Sequence, residues 1–416
     1  MTRHTAKNNY NTIIIGGGAS GLAAACVCAM SGLPFLLVEK ENKLGRKLLA
    51  TGNGRCNLMN VGPAVYFGET AFAHQVLSRC GVSEVSAFFK SLGLAFFEEE
   101  GGRVYPHTRQ ALTVLDCLLT RIAAFKGATV RTCLEVSDIQ HHKDGFDITT
   151  TNRERFIAPT LILATGSPAA PKLGGSGRVT ELAGRLGHHH LPFSPALCAL
   201  RTQTGAIQGL NGLRVPAYLT LYHDDHPVCA AAGELLYTAY GVSGLCAMQL
   251  ARDAQSGLAQ GKHVSVGIDL SPLLGTRPVL MRRLRLDELT PKENRQAINK
   301  LLHTRRQTLG EAFLYTGLLP HQLMGILSQM PLQPAVDWLC DLRLRVSGTQ
   351  GFEQAQVASG GIACSEVDPA NMRSRVLKGL YLCGEMLNVD GDTGGHNLLF
   401  AWATGILAAR DILQKQ

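Results

Sequence analysis

Three things are scarce in this sequence. It has no run of eighteen consecutive apolar residues, no C-x-x-C pair, and only 6% aromatic residues. The first absence argues against a membrane span. The second leaves the twelve cysteines, scattered from Cys26 to Cys383, without a redox or zinc pattern. Cys26 and Cys28 stand two apart on a predicted helix and point to different faces, so they are poorly placed to share a metal. The cysteines therefore read as small buried hydrophobes in a reducing compartment. The run His188, His189, His190 has no cysteine or carboxylate spaced to complete a coordination sphere, and three adjacent histidines cannot all face one ion. A surface loop or strand end is expected there, and no metal site. At 416 residues and 45% apolar content, the chain is too long for one core and predicts two or three globular domains.

What is present begins at Asn11–Lys40, NTIIIGGGASGLAAACVCAMSGLPFLLVEK. Thr12–Ile15 is a β-branched run, and Gly16, Gly18 and Gly21 form G-x-G-x-x-G where that strand passes into a helix from about Ala19 to Met30. Gly16 permits the sharp turn, Gly18 admits a pyrophosphate to the backbone, and Gly21 lets helix and strand pack closely. With Ala19 and Ser20, these residues put unpaired N–H groups and the positive end of a helix dipole at the phosphate. Glu39 ends the next strand eighteen residues after Gly21, placed to accept both hydroxyls of an adenosine ribose and to repel a 2′-phosphate; Lys40 follows it. Arg3 and Lys7 ahead of an apolar run imitate a signal peptide, but the glycine cluster lies inside that run, and a cytoplasmic protein is expected.

A second glycine-rich segment, Leu44–Asn60 (LGRKLLATGNGRCNLMN), carries Arg46, Lys47, Gly54 and Arg55 and suits a loop running along the pyrophosphate towards a redox ring. Its core, GRKLLATGNGRCN, resembles the signature of the BaiN/RdsA (HI0933-like) family of bacterial flavoproteins, relatives of the glutathione-reductase-like FAD proteins. Val357–Asn397, with GLYLCGE at 379–385 and GDTGGHN at 391–397, is similar to the same family. The resemblance covers both ends of the chain and, more weakly, the middle through GELLYTAYGVSG at 233–244. It implies FAD as cofactor, with NAD(P)H as a transient reductant, because no second strand–G-x-G-x-x-G–helix unit is available for a nicotinamide. It further implies that the backbone near Val136 reads the adenine edge, that Thr165 and Gly166 make the second FAD contact, and that Gly384 and Glu385 lie near the ribityl chain. Gly395, Asn397 and Leu398 open a final helix over Asn397–Leu413 whose N-terminus would face the pyrimidine end of the isoalloxazine. Two departures stand out. LGGSGR at 173–178 lacks the family's Gly-Tyr pair, and His396 stands where the family usually has tyrosine.

The expected fold is α/β, a Rossmann-like FAD-binding domain of glutathione-reductase type interrupted by an inserted β-barrel plus helical domain. The first part should span 1–193, the insert 194–345 and the C-terminal part 346–416. Between the motifs the pattern predicts a helix over Val76–Leu92, a hairpin over Ala95–Tyr105, a helix over Gln110–Lys126, and strands at Val130–Ile139 and Phe146–Thr151. In the insert, Ala196–Leu200, Ala217–Tyr222 and Glu234–Tyr237 read as short strands with Asp224 and Asp225 at a turn, and 278–345 reads as mainly helical.

The net charge of +8 is uneven: between Arg277 and Arg306 there are nine basic and three acidic residues. That window reads either as a solvated helical face or as a platform for an anionic partner such as RNA. The expected activity is reduction of a conjugated C=C bond in a small-molecule substrate. Candidates for protonation or electrophile stabilisation are His396, Arg55, Asn57 and Asp392, with Asp390 and Cys56 beside them. The alternatives are dihydrouridine formation in ribosomal RNA, oxidation of an amine by O₂, and a flavoprotein without catalysis, since one FAD scaffold hosts all of them.

Overall fold

A computed structural model describes residues 8–274, 282–289 and 291–415; Arg3, Lys7 and Arg277 of the expectations above lie outside the described residues. The chain divides into two compact units, one of residues 1–193 with 357–416 and one of 194–356.

The first unit is built on five short parallel strands, β1 (Thr12–Ile15), β2 (Phe35–Val38), β3 (Ala128–Arg131), β4 (Thr160–Leu163) and β5 (Leu380–Leu382), in the order β5-β4-β1-β2-β3. β1, β2 and β5 are buried throughout, as a sheet covered on both faces requires, which is why they read as continuous apolar runs rather than as alternations. Helix α1 (Ala19–Met30) follows β1, and the final helix, α2 (His396–Leu413), packs on α1. The two helices approach closely at Gly405, where an added Cβ would lie 2.1 Å from the Ser20 carbonyl oxygen. An antiparallel sheet of Val136–His142, Gly145–Thr150 and Arg155–Ala158, joined in parallel by Asn8–Asn9, completes the nucleotide-side scaffold. A small sheet, Met59–Asn60, Arg103–Pro106 and Phe96–Glu99, carries the predicted hairpin.

The second unit contains a closed six-stranded barrel. Arg214–His223 pairs with His226–Thr238 and Val264–Asp269; the circuit continues through Leu342–Thr349, Leu200–Thr202 and Gly241–Ser243 back to His226–Thr238. Asp224 and Asp225 make its two-residue hairpin turn with φ of 49° and 63°, the left-handed pair that suits strand twist and that aspartate tolerates. Helices Pro291–Leu309, His321–Leu327 and Leu332–Cys340 follow.

Four expectations are corrected. The last boundary falls at 356/357 rather than 345/346, because Leu342–Thr349 is a full barrel strand that the earlier cut would divide. The stretch 278–345 is not uniformly helical: Arg282–Leu284 pairs with Ala230–Ala232. Ala196–Leu200 is not one strand: Ala196 ends one and Leu200 begins the next, with 197–199 between them turned by Leu197 at φ 49°. Val76–Leu92 is two helices, Thr70–Arg79 and Val82–Ser91, because Gly81 caps the second and its N–H donates to Glu84 Oε2 at 2.9 Å.

Candidate functional site

Parallel strands leave their carboxyl ends on one edge of the sheet, and ligands of open α/β folds bind along that edge. The turns after β1 (Gly16–Gly18), β2 (Glu39), β4 (Thr165, Gly166) and β5 (Gly384, Glu385) all open there, with Val136 buried a few residues beyond β3. Within the G-x-G-x-x-G, protein and ligand space separate cleanly. A Cβ on Gly16 (φ +108°) would lie 2.3 Å from the Ala164 carbonyl oxygen, and one on Gly21 would lie 1.9 Å from that of Gly16. A Cβ on Gly18 would meet nothing within 4 Å. Two glycines thus make room for the protein, and the middle one faces open space beside the N-terminus of α1.

Glu39 is locked in place. Its Oε2 accepts the Gly17 N–H at 2.6 Å and its Oε1 that of Glu41 at 2.9 Å, leaving each oxygen a further lone pair. The basic residues nearby are engaged within the protein. Arg46 pairs with Glu41 and donates to the Lys172 carbonyl at 2.8 Å, Lys40 lies 3.9 Å from Glu41, and Lys47 meets Glu385 Oε2 at 2.7 Å. Glu385 Oε1 also accepts the Ala358 N–H at 3.2 Å. Arg46 and Lys47 are therefore already neutralised within the protein, whereas the first-turn N–H groups of α1 have no intrahelical acceptor. Gly384 (φ +77°) serves packing as well, since an added Cβ would lie 2.5 Å from Ser20 Oγ.

A second cluster surrounds the N-terminus of α2, whose first-turn N–H groups, those of His396, Asn397 and Leu398, have no intrahelical acceptor. Gly394 and Gly395 lead in with φ of 100° and 106°. A Cβ on Gly395 would lie 2.6 Å from Met59 C and 2.8 Å from Asn57 Oδ1, so Asn57 sits directly against this turn. The Asn397 amide bridges the Gly391 N–H and carbonyl, both at 2.8 Å; its side chain shapes the loop, leaving its N–H for a ligand. Asp392 is buried, accepts the Thr393 N–H at 2.7 Å, and Asp390 is buried on the short strand Val389–Gly391.

His396 is 5% exposed, its ring edge-on to Tyr66 at 5.8 Å. Burial lowers its pKa to about 4, so near neutral pH it is an uncharged imidazole able to act as a neutral donor or acceptor and not as an imidazolium acid. Cys56 is enclosed, its thiol pushed up to about 12 by burial, and is no ready proton donor. Arg55 lies with its guanidinium 5.1 Å above the Tyr105 ring and donates from Nε to the Gly52 carbonyl at 3.2 Å; Gly54, before it, has φ +82°. Among the described residues of this unit four buried polar side-chain atoms have no partner: Thr12 Oγ1 on β1, and Thr165 Oγ1, Asn57 Oδ1 and His396 Nδ1. Orphans of this kind call for a ligand or ordered water.

Sequence reasoning missed two residues. Tyr66 is buried and donates its hydroxyl to the His396 carbonyl at 2.8 Å. Asn60 donates to the Gly394 carbonyl at 2.8 Å and accepts the Gly62 N–H at 2.8 Å. Neither carries a local signal of this role, because the contacts that tie them to the start of α2 span more than 300 residues. The histidine run matches the expected surface strand end at His189 and His190, both exposed with His190 opening a strand, and is corrected at His188, which is buried with Nδ1 2.9 Å from Glu366 and Nε2 2.9 Å from Ser374 Oγ. Among the described residues no group of three or more His, Cys, Asp or Glu could hold a metal ion, and no helix is long and apolar enough to cross a membrane.

In the second unit the basic window is largely neutralised. Arg282 pairs with Glu288, Arg283 with Asp253 at 3.1 Å, Arg285 with Asp287 at 3.3 Å, Arg295 with Asp337 at 3.2 Å, and Arg306 with Glu311. Arg305 donates to the carbonyls of Phe313, Leu314 and Thr316. Lys292 and Lys300 are exposed.

Comparison with known proteins agrees with this geometry. The family model described as "HI0933-like protein Rossmann domain" matches residues 10–411. The chain is 36% identical over 419 residues to a 3-dehydro-bile acid delta(4,6)-reductase of Clostridium scindens, covering 95% of this chain and 97% of that protein. It is 27% identical over 411 residues to a ribosomal RNA dihydrouridine synthase of Escherichia coli, covering 97% and 98%. Among solved structures, 3-ketosteroid delta1-dehydrogenase from Sterolibacterium denitrificans shares the fold with a TM-score of 0.53 over 99% of this chain and all of that one, at 12% identity. With a full-length family match and an FAD-type fold, the chain belongs to the HI0933-like family and is an FAD-dependent oxidoreductase.

Proposed function

We propose that this protein reduces an activated carbon–carbon double bond in a small molecule, with NAD(P)H as reductant. The observation that carries the reading is the full-length similarity to a delta(4,6)-reductase. The orphaned Asn57 Oδ1 and His396 Nδ1 beside the open turn of α2 support it.

The chain fits FAD. Open space above Gly18 and the N–H groups of Ala19, Ser20 and Gly21 suit a pyrophosphate, Glu39 the adenosine ribose and Val136 the adenine edge. Lys40, Arg46 and Lys47 would border the pyrophosphate as neutral ion-paired walls, Gly54 and Arg55 the ring. Thr165, with its unpartnered hydroxyl, Gly166, Gly384 and Glu385 would hold the ribityl side. Bound FAD supplies hydride transfer between N5 and the β-carbon of a conjugated alkene. The N–H groups of Gly395, His396, Asn397 and Leu398, with the dipole of α2, would stabilise negative charge at the pyrimidine end. His396, uncharged, would donate or accept a hydrogen bond at Nδ1, and Asn57 would accept at Oδ1. The Tyr66 hydroxyl, committed to the His396 carbonyl, holds the helix start in place; with His396 uncharged, protonation of the α-carbon would fall to water, which His396 would orient by a hydrogen bond.

The test is an anaerobic stopped-flow experiment on the FAD-loaded protein. NADH or NADPH should bleach the flavin band, and a steroid 4,6-dien-3-one should restore it. If neither nicotinamide bleaches a flavin that dithionite does bleach, NAD(P)H-linked reduction is wrong. Reduction of uridine in ribosomal RNA is the second reading, drawn from the Escherichia coli relative and the 277–306 window. The ion pairs within that window count against it.

A further inference from the structure

In the parallel sheet β4 stands two places from β2, with β1 and its glycine turn between them. The chain leaving β4 makes its contacts on the far side of that gap. After Thr165 and Gly166 it forms a compact loop, 167–176, whose neck is closed by the Ser176 N–H donating to the Ser167 carbonyl at 3.0 Å. Ser167 Oγ also accepts the Ala169 N–H at 3.2 Å. The tip of the loop, 172–174, meets residues that follow β2. A Cβ on Gly174 would lie 3.0 Å from Glu41 Cγ, and the Lys172 carbonyl accepts from Arg46 Nη2 at 2.8 Å. Just past the neck, Arg178 meets Glu135 at 2.9 Å, next to Val136 beyond β3. The loop therefore reaches across the carboxyl ends of β1 and β2, the edge along which a dinucleotide lies.

Glu41 joins this loop to the ribose acid. Its N–H donates to Glu39 Oε1 at 2.9 Å, its carbonyl accepts the Cys133 N–H at 2.9 Å, and its carboxylate pairs with Arg46. Arg46 is itself anchored to the glycine turn, because the Gly45 N–H before it donates to the Gly17 carbonyl at 2.8 Å. One guanidinium thus clamps Glu41 to a carbonyl 126 residues beyond it, with a different nitrogen for each acceptor. A lysine has all its donors on one nitrogen and cannot reproduce that fork. The clamp adds little to the core: the Arg46 and Glu41 side chains are 32% and 26% exposed, and partly exposed pairs contribute little to folding.

We infer that the 167–176 loop is a lid over the adenosine ribose of the bound dinucleotide, and that Arg46 is its latch, joining Glu41 to the Lys172 carbonyl and so setting how slowly the cofactor leaves. Arg46 is a positioning residue here, acting on the lid and not on the reacting atoms. The inference rests on dinucleotide binding at Gly18 and Glu39 and is independent of which bond the enzyme reduces.

The test follows release of FAD from the loaded protein after dilution, read by the fluorescence anisotropy of the flavin, which falls as the cofactor becomes free. Arg46→Met should speed release about tenfold, and Arg46→Lys by less, since an ammonium keeps the charge but loses the fork. Glu41→Gln should speed it about threefold. A direct contact of Arg46 with the pyrophosphate predicts the opposite sign, because freeing the guanidinium from Glu41 would slow release. Lys172→Met should change nothing, as only its carbonyl takes part. Hydrogen exchange on the FAD-loaded protein gives a second reading: in Glu41→Gln the amides of 167–176 should exchange faster while those of α1 stay protected. Unchanged release in Arg46→Met, slower release in Glu41→Gln, equal acceleration by Lys172→Met and Arg46→Met, or unaltered exchange at 167–176 would overturn the latch. A lower melting temperature of the apo-protein carrying Arg46→Met, with release unchanged, would make the pair structural and also overturn it. Failure of NAD(P)H to reduce the flavin, with release rates as expected, would count against the reductase reading alone.

Discussion

Two arginines of the nucleotide-binding unit differ from those of the basic window in the barrel unit. In the barrel unit, Arg282, Arg283, Arg285, Arg295 and Arg306 each end on a carboxylate. In the nucleotide-binding unit, Arg55 and Arg103 meet none among the described residues. By sequence, the first group looks like an anion-binding surface, Arg55 reads as part of the loop along the pyrophosphate, and Arg103 attracts no notice. The partners explain the inversion. Asp253, Asp337 and Glu311 lie outside the 277–306 window and are brought to it only by the fold, so a local excess of charge in the sequence is not an excess on the folded surface. The nucleotide unit instead leaves Arg55 and Arg103 without a carboxylate, and the first-turn N–H groups of α1 and α2 without an intrahelical acceptor.

The sharpest way to test that contrast is through glycines. Gly21→Ala forces a Cβ to 1.9 Å from the Gly16 carbonyl, against backbone that cannot swing aside. A cost of about 3 kcal/mol or more is expected, with loss of soluble, yellow protein. Gly18→Ala meets nothing within 4 Å, and its φ of −83° suits alanine. Apo-protein melting should stay within about 0.5 kcal/mol of wild type while FAD affinity falls, since a surface change away from packing costs little. Equal melting temperatures for the two variants, measured by scanning calorimetry on apo-protein, would mean that the turn is not the backbone-built phosphate cradle described above.

His396 gives the next effect. Its folded pKa, about 4, lies below the ordinary 6.5, so the unfolded chain binds the proton more readily. Stability from the neutral ring is present above about pH 6.5, falls as pH drops, and is fully lost below about pH 4, a span worth about 3 kcal/mol. His396→Gln should flatten this part of the acid limb in urea titrations between pH 7 and pH 4.5. If both proteins lose stability in parallel, the imidazole is not held neutral by burial. Glu39→Ala is smaller and local: two N–H groups lose their acceptor, for about 1–3 kcal/mol. Hydrogen exchange should rise at Gly17 and Glu41 while barrel amides stay protected; a uniform rise across both units would contradict a local role.

The legible parts of this molecule are those whose cause is local. Thr12–Ile15, the three glycines and Glu39 lie within thirty residues, and their spacing alone implies strand, turn, helix and strand. Lys47 with Glu385, Asn60 with Gly394, and Tyr66 with His396 are joined across more than 300 residues, and no periodicity announces them. The barrel was partly legible, because the Asp224–Asp225 turn marks a hairpin. The strand Leu342–Thr349 was hidden by the helical stretch before it, although it alternates buried and exposed over its first six residues.

The smallest effect bears most directly on the basic window. Arg282, Arg285 and Arg306 are at least half exposed, and exposed ion pairs contribute little, so Arg282→Gln with Arg306→Gln should cost under about 1 kcal/mol. Each substitution removes one positive charge and leaves its carboxylate, Glu288 or Glu311, unpaired on the surface. If the window binds no anion, the affinity for a ribosomal RNA fragment, measured by fluorescence anisotropy at several salt concentrations, should be weak before and after the change. Its slope against log salt should then stay unaltered. Tight, salt-dependent binding that these two substitutions abolish would show the ion pairs opening for phosphate. The contrast between the two units would then fail, and RNA reduction would displace the small-molecule reading.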